Sequence, residues 1–439
     1  MRGVLVFLLA VAALACGDGT PAAPQGPRPT VPDTLSNCDI TEAGCQLGIF
    51  EAVAALLDED ASEMPPIRTI SVAQYEQEVR DGVSDDAFVG DDTVTRGLRL
   101  IGFIPEAAES ATEDSIELQI ASVAAYYSSR SKSITIIDRD YPDEQAQEIL
   151  AHEFVHFFQD RAFGLGSVFS GAATTDSVMG RRLVIEGDAT YVAADWLVRE
   201  KGLDVSAEDW EVAYNSWQGF ALRTVGDPEV AIDQSAGIFP YAYGYELLGR
   251  ASQSGGLPGR AALFESPPDS ARDGMVEYQD FVSDGATDVD EPNEPIPDPP
   301  ESELLIDDRS GAWYLYATLL RAGLLNEEAW ARSLEWRGDR LGVFEAGSEV
   351  VAVWRIRTTG DPSFVAEAVA LTPRDVLWTT VLDNNEAYVI AAESDAALAT
   401  WESQPAALMA ALVDSTPDVR ANLANLLPSG CRANPTRVR

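Results

Sequence analysis

The amino-acid sequence predicts an α+β fold, and three observations support this class. The chain has 439 residues, of which 46% are hydrophobic, so it can bury one large core or two ordinary ones. Helical and strand-like segments are mixed, but they lack the regular βαβ alternation of a parallel sheet. From residue 304 onward both kinds of segment recur after an acidic, proline-rich stretch. We therefore expect an additional C-terminal α/β unit.

One β-hairpin and several long helices are predicted along the chain. Residues 123–127 and 133–138 have strand composition and flank the polar turn SSRSK. Ser71 can cap a helix that runs to Asp81, and another helix is predicted at residues 94–104. Further helices are predicted at residues 45–58, 143–163, 177–200, 312–322 and 362–370, and further strands at residues 67–71 and 349–357.

The N-terminus predicts export and lipidation. Residues 1–15 join a basic start, an apolar stretch and small residues. This is the pattern of a signal peptide, and the segment is too short to span a bilayer as a stable helix. Cleavage before Cys16 would leave an N-terminal cysteine, and this arrangement resembles a bacterial lipoprotein signal. Residues 16–36 are then a flexible tether that joins the folded body to a lipid anchor in the cell envelope, on its periplasmic or cell-surface side.

Composition divides the folded body into three parts. Residues 37–283 contain most of the long helices and form the main domain. Residues 284–303 are acidic and rich in proline without apolar periodicity, which is typical of a linker or surface insertion. Residues 304–439 form the C-terminal α/β region.

Three cysteines follow the predicted lipidation site. Cys38 with Cys45 would close a small loop, whereas Cys431 with either of them would join the two ends of the body. The sequence leaves these pairings open, and an exported protein permits any of them. None of the cysteine spacings resembles a cysteine metal site.

The charge balance limits the kinds of partner. The chain has 72 acidic and 30 basic residues, with a formal net charge of −42. Such a field repels phosphates, which excludes nucleic acid as a partner and disfavours electrostatic binding to anionic lipid. We therefore expect membrane contact only through a lipid on Cys16. The same field favours cationic peptides over acidic ones.

The chain contains two histidines, and both lie in the motif HEFVH. His152 and His156 are four residues apart, so a helix places them on one face. The flanking residues favour a helix, since Pro142 suits its first turn and Gly164 its end. The two imidazoles can then bind one metal ion, with Glu153 beside them as a general base.

A catalytic zinc site needs a third protein ligand, and this ligand has to be a carboxylate. Glu186 directly follows an apolar run on the predicted helix 177–200, as expected for a side chain that turns inward. Asp188 is the rival, but it points about 200° around the helix from Glu186, so the two are not expected to bind one ion. Gly187 would let this helix approach its neighbour closely. We expect one Zn²⁺ ion on His152, His156 and Glu186.

These motifs resemble a known family. An HExxH helix followed by a helical glutamate ligand is the arrangement of the gluzincin metallopeptidases. HEFVHFFQD at 152–160 and EGDAT at 186–190 resemble, more closely, a group of bacterial proteins that are often lipoproteins. Softer similarities lie in the hairpin, in FPY with Gly244, in a GG…PPxS segment and in WRGDR at 336–340. The resemblance spans most of residues 45–370 and implies a zincin-like (gluzincin) metallopeptidase fold, in which the edge strand of the hairpin lines the substrate cleft.

The chain departs from the family pattern at two places. Thr190 stands four residues after the ligand glutamate, where many gluzincins have an aspartate. Asp160 or Asp188 is therefore expected to orient a ligand histidine through its second nitrogen. A histidine expected after the PPxS segment is also absent, since residues 271–277 read ARDGMVE.

The absence of a third histidine also affects the donor that would stabilise a developing oxyanion. Tyr241 is the first candidate, followed by Tyr245, one helical turn further on, and Tyr243. Each of these tyrosines can equally serve in aromatic core packing. Arg340 and Arg181 are further candidates without a spacing argument.

The predicted function is that of a zinc metallopeptidase that cleaves a peptide or protein substrate. Zinc would activate a water molecule, and Glu153 would accept its proton and pass it to the leaving amine. The alternatives are a non-catalytic zinc-binding surface lipoprotein with an adhesive or structural role, and an inactive peptide binder. The presence of Glu153 disfavours both, because a structural zinc site needs no general base.

Overall fold

A computed structural model describes residues 38–82, 91–290, 302–371, 377–383 and 385–402. The predicted signal peptide and tether, with Cys16, lie outside the described residues, and so do Cys431 and most of the predicted linker. A disulfide joins Cys38 to Cys45, which selects one of the pairings left open by the sequence. None of the described helices is long and apolar enough to cross a membrane.

A small sheet of three strands lies near the start of the body. Its strands are β1 (Ile67–Ser71), β2 (Ala125–Ser128) and β3 (Ser133–Asp138), in the order β1-β3-β2. Strand β3 is parallel to β1 and antiparallel to β2, so the predicted hairpin is confirmed and β2 lies at the sheet edge among the described strands.

Helices form most of the body. The predicted cap is confirmed, since the Ser71 hydroxyl accepts a hydrogen bond from the Gln74 amide. One prediction is wrong at its end: the helix expected to reach residue 104 stops at Leu100, because Gly102 has a φ of 77° and Phe103 bonds back to the Leu98 carbonyl. The helices are α1 (Ala43–Leu57), α2 (Val72–Gly82), α3 (Asp91–Leu100), α4 (Ala111–Ser122), α5 (Asp143–Phe163), α6 (Leu165–Val168), α7 (Thr175–Glu200), α8 (Ala207–Gly226), α9 (Ile232–Glu265) and α10 (Tyr278–Asp284).

Helix α7 packs closely against α9 through two glycines. A Cβ atom on Gly187 would lie 2.2 Å from the carbonyl carbon of Gly244. A Cβ atom on Gly244 would lie 2.3 Å from the carbonyl oxygen of Leu183. Both distances are far inside van der Waals contact, so the backbones meet only because neither residue has a side chain. This confirms the close approach predicted for Gly187.

The C-terminal region forms a five-stranded sheet with flanking helices. All neighbouring strands are antiparallel, in the order β4-β5-β6-β8-β7, so the region mixes helices with an antiparallel sheet. The predicted linker ends too late, because its last two residues begin β4. The elements are β4 (Ser302–Asp308), α11 (Ala312–Arg321), α12 (Asn326–Ser333), β5 (Trp336–Ala346), β6 (Glu349–Thr358), α13 (Ser363–Leu371), β7 (Leu377–Asp383), β8 (Glu386–Ala392) and α14 (Asp395–Glu402).

The main core is continuous from the helical body into this sheet. Phe103, which follows α3, packs against Tyr314 of α11 and Trp354 of β6. The WRGDR segment has a structural role here, since the buried Asp339 carboxylate accepts hydrogen bonds from the amides of Ser310 and Gly311. It also accepts bonds from the Ser310 hydroxyl and from the indoles of Trp336 and Trp354.

Candidate metal centre

The two histidines of α5 meet through their ring nitrogens. His152 Nε2 lies 3.0 Å from His156 Nε2. The His156 side chain is 1% exposed and that of His152 is 16% exposed, so the pair is open only on the His152 side. The opposite face of α5 is anchored in the core, where Phe154 and Phe158 pack against Phe50 of α1. This packing fixes the direction in which the imidazoles point.

Glu186 completes a cluster of three candidate ligands. Its Oε2 atom lies 3.4 Å from His152 Nε2 and 3.5 Å from His156 Nε2. The three residues can hold a metal ion, since each offers one ligand atom and these atoms all lie within 4.8 Å of one another.

Two features of the cluster fit a bound cation. Zinc binds nitrogen and oxygen at about 2.0–2.1 Å, so neighbouring ligands of a tetrahedral ion lie about 3.3–3.4 Å apart, close to the observed 3.0, 3.4 and 3.5 Å. Both Glu186 oxygens are also buried without a well-formed hydrogen bond to any described residue. A buried carboxylate without hydrogen bonds is costly unless a cation compensates it.

The electrostatic surroundings keep Glu186 ionised. Burial alone would raise its pKa, but the imidazoles of His152 and His156 and the guanidinium of Arg182 outweigh burial, and the pKa lies well below its ordinary value. The carboxylate is therefore present as an anion at neutral pH, which is the form that binds a metal ion.

Gln159 orients His156 and defines its protonation. The Gln159 Nε2 atom donates to the carbonyl of Ile185 at 3.0 Å and to Asp188 Oδ2 at 2.9 Å. These bonds turn the Gln159 Oε1 atom toward His156 Nδ1, 2.8 Å away. Because Oε1 can only accept, Nδ1 carries the proton and Nε2 keeps its lone pair for the cluster. Arg260 in turn donates to Asp188 Oδ1 at 2.6 Å.

The prediction that Asp160 or Asp188 directly orients a ligand histidine is therefore wrong. Asp188 acts one step away, through Gln159, and its contacts with Gln159 and Arg260 also place it outside the ligand cluster. Asp160 instead accepts hydrogen bonds from the Tyr127 hydroxyl at 2.8 Å and from Lys132. These two bonds tie the hairpin to α5.

Glu153 contacts the edge strand of the small sheet. Its Oε2 atom accepts a hydrogen bond from the backbone amide of Tyr127 on β2, at 2.6 Å. Burial raises the pKa of Glu153, although the imidazoles of His156 and His152 lower it. The bond to Tyr127 fixes one carboxylate oxygen and leaves Oε1 to exchange a proton.

Of the three candidate tyrosines, Tyr241 lies beside the cluster. Its ring stacks on that of His152, with the ring centroids 6.0 Å apart and the planes 22° from parallel. Tyr243 packs between Trp313 and Trp330, and Tyr245 packs against Tyr214, Tyr191 and Trp210. Both are buried core residues, so their candidacy as oxyanion donors is not supported.

The two candidate arginines pair with carboxylates outside the cluster, whereas a third arginine lies beside Glu186. Arg340 pairs with Asp307, and Arg181 pairs with Asp269. Arg182 is not among the site residues predicted from the sequence, yet its Nη2 atom lies 3.6 Å from Glu186 Oε1 and its Cζ atom lies 6.0 Å from the centroid of the Tyr241 ring. The available signal was its position four residues before Glu186, on the same face of α7.

The described site thus combines a buried group that can hold a metal ion with a carboxylate, a phenol and a guanidinium around it. The carboxylate is that of Glu153, the phenol that of Tyr241 and the guanidinium that of Arg182. The surrounding fold mixes helices with two sheets, as an α+β protein does. No protein-family model, no curated protein and no solved structure matches the chain.

Proposed function

We propose that the protein is a zinc-dependent peptidase with a zincin-like (gluzincin) catalytic site. The observation that carries this proposal is the triangle of His152 Nε2, His156 Nε2 and Glu186 Oε2, with edges of 3.0, 3.4 and 3.5 Å. Two imidazoles and one carboxylate are a ligand set typical of catalytic zinc, which keeps a fourth position for water or substrate. Glu153, next to the first ligand, supplies the base that such chemistry needs.

A bound zinc ion would activate the reacting groups, and the surrounding residues would transfer the protons. A Zn²⁺ ion bound there would polarise a carbonyl group and lower the pKa of a water molecule toward about 7. Glu153 would accept the proton of the attacking water at Oε1 and then deliver it to the leaving amine. Tyr241, whose ring lies against His152, would donate a hydrogen bond from its hydroxyl to the carbonyl oxygen as negative charge develops there.

The edge strand supports a peptide substrate. Tyr127 joins strand β2 to α5, the helix that carries both histidines. Its backbone amide donates a hydrogen bond to Glu153, and its hydroxyl donates one to Asp160. An extended peptide can add to a sheet edge by main-chain hydrogen bonds. A peptide that lay along β2 would pass close to Glu153.

The N-terminal sequence supports a place in the cell envelope. We propose that the signal segment is cleaved before Cys16 and that a lipid on this cysteine anchors the body. The support is the sequence of residues 1–36 alone. Replacement of Cys16 by serine should then move the protein from the membrane fraction to the soluble fraction.

The deciding experiment measures bound metal and peptide cleavage together. The wild-type protein should contain one zinc per chain and cleave members of a panel of unfolded proteins and peptides. Glu153→Gln should keep the zinc and lose at least ~10²-fold in kcat, since a general base contributes about 10²–10⁴-fold. Glu186→Ala should lose the zinc.

The outcomes separate the readings. Stoichiometric zinc without cleavage of any panel member would favour the non-catalytic zinc-binding module or the peptide binder. A protein that binds no zinc when refolded with it would remove the proposal altogether. Full zinc affinity in Glu186→Ala would show that the third ligand is a different residue.

A further inference from the structure

The two oxygens of Glu186 have different neighbours. Oε2 lies 3.4 and 3.5 Å from the ring nitrogens of His152 and His156. Oε1 lies on the other side of the carboxylate, 3.6 Å from Nη2 of Arg182. The histidines and the arginine therefore take opposite ends of one carboxylate.

Arg182 is held in a position that its own hydrogen bonding does not explain. Its side chain is 6% exposed, and its Nη1 atom is buried without a hydrogen-bond partner among the described residues. Its Cζ atom lies over the ring of Tyr241, 6.0 Å from the centroid. Burial of a cation is costly unless an anion compensates it, and Glu186 is the carboxylate within ion-pair distance of Arg182 among the described residues.

We propose that Arg182 is a positioning residue that makes Glu186 present only Oε2 to the metal ion. The proposal rests on the proposed function, because it assumes that the cluster binds a metal. With Arg182 in place, rotation of the carboxylate to offer both oxygens would break its contact with the guanidinium. Without Arg182, Glu186 would be free to supply two ligand atoms.

The number of ligand atoms matters because a catalytic zinc site needs an open position. Two imidazoles and one carboxylate oxygen leave room for a water molecule or the substrate. A second carboxylate oxygen would take that room and add a favourable contact with the metal. Removal of Arg182 should therefore preserve or strengthen metal binding while it impairs turnover, whereas damage to a ligand would weaken both.

Arginine suits this role better than lysine. Its charge is fixed, and its planar guanidinium offers several donors in one orientation. The contact also lies within one helix, four residues apart, so it does not depend on how α7 packs against its neighbours. A lysine would provide the charge without the fixed orientation and should restore the function only in part.

Cobalt(II) provides a test that does not depend on activity. The mature protein is loaded with Co²⁺ instead of zinc, and the visible spectrum reports the coordination number. The wild type should show the intense bands of low-coordinate Co²⁺, and Arg182→Met should show a weaker spectrum of higher coordination. Its affinity for Co²⁺ and Zn²⁺, measured by competition with a chelator, should be equal to or tighter than that of the wild type. With zinc, kcat should fall at least tenfold with little change in KM.

The adjacent arginine provides a matched control. Arg181→Met removes a guanidinium that pairs with Asp269 outside the cluster, so it should leave the cobalt spectrum and kcat unchanged. Arg182→Lys should lie between the wild type and Arg182→Met. If Arg182→Met does not fold, Arg182→Gln takes its place, because this polar side chain ends where the arginine Nε lies and does not reach Oε1.

Two results would overturn the role of Arg182. One is a folded Arg182→Met or Arg182→Gln protein with the wild-type cobalt spectrum. The other is a variant that loses metal affinity more than tenfold, which would make Arg182 a structural support of the site. Failure of the proposed function looks different, since the wild type itself would then bind neither Co²⁺ nor Zn²⁺, or would bind them without cleaving peptides.

Discussion

Replacement of Gln159 by leucine should weaken metal binding without removing a ligand. The change deletes the acceptor of the His156 Nδ1 proton and two donor bonds, to the Ile185 carbonyl and to Asp188. Loss of such an outer partner costs about 10–100-fold in metal affinity, or about 1.4–2.8 kcal/mol at tenfold per 1.4 kcal/mol. Three lost hydrogen bonds should also lower the stability of the metal-free protein by about 3 kcal/mol, at roughly 1 kcal/mol each. Zinc affinity by chelator competition and unfolding by urea measure the two effects separately.

Another buried glutamine of α5 provides the matched control. Gln147 is fully buried near the start of α5, before the two histidines. Its Nε2 atom donates a hydrogen bond to the Cys38 carbonyl at 2.9 Å, outside the cluster. Gln147→Leu should therefore destabilise the metal-free protein while its zinc affinity stays at the wild-type value. If Gln159→Leu binds zinc as tightly as Gln147→Leu does, the link from Gln159 to the tautomer of His156 is refuted.

Two further predictions concern packing and pH. Gly187→Ala places a methyl group 2.2 Å from the Gly244 carbonyl carbon and should lower the free energy of unfolding, measured in urea, by about 3 kcal/mol. The control is Gly44→Ala, whose methyl group meets nothing within 4 Å. Equal stability of the two variants would contradict the close packing at Gly187. Burial raises the pKa of Glu148 to about 7 from its ordinary 4.5, so the folded state binds a proton more tightly than the unfolded chain. As the pH rises from about 4.5 to 7, this carboxyl alone should therefore lower the stability of the metal-free wild type by about 3 kcal/mol. Glu148→Gln should lack this loss, so the two proteins should have equal stability at pH 4, and the variant should be the more stable at pH 8. The same change of stability with pH in both proteins would contradict the raised pKa of Glu148.

The helical part of the site could be predicted because it depends on local geometry. The spacing of His152 and His156 places them on one helix face whatever the helix packs against. The polar turn between two short apolar segments likewise indicates the hairpin that contacts Glu153. Gly187 indicated a close helix contact because a glycine, which has no side chain, lets two helix backbones approach each other.

Other features of the site depend on contacts between distant segments. Tyr241 and Tyr245 are one helical turn apart, so the sequence cannot tell which of them reaches His152 and which enters the aromatic core. The sequence pointed to carboxylates as the groups that orient a ligand histidine, whereas the partner of His156 is Gln159, three residues further along the same helix face. An arginine four residues before a glutamate is usually a solvent-exposed pair, so the spacing of Arg182 and Glu186 does not indicate that their contact is buried.

The antiparallel sheet at the C-terminus was missed for a similar reason. Residues 336–346 form one long strand, but the glycines and charged residues in its first half interrupt the apolar alternation by which a strand is predicted. Asp339 is buried in that strand because five donors surround it. From the sequence alone, a charged residue such as Asp339 is expected to be exposed. Its donors are spread along the chain: Ser310 and Gly311 lie 29 and 28 residues before it, Trp336 lies 3 residues before it and Trp354 lies 15 residues after it.

The contact between two glycines also has a consequence for the candidate site. Gly187 directly follows Glu186, and Gly244 lies three residues after Tyr241, so this close approach of α7 and α9 occurs beside the cluster. A methyl group at Gly187 would push the helices apart and carry Tyr241 away from His152, while both histidines stay on α5. Gly187→Ala should therefore lower kcat by more than it lowers zinc affinity, under conditions in which the variant is fully folded. Parallel losses of kcat and zinc affinity would show instead that the spacing of α7 and α9 positions the ligands themselves.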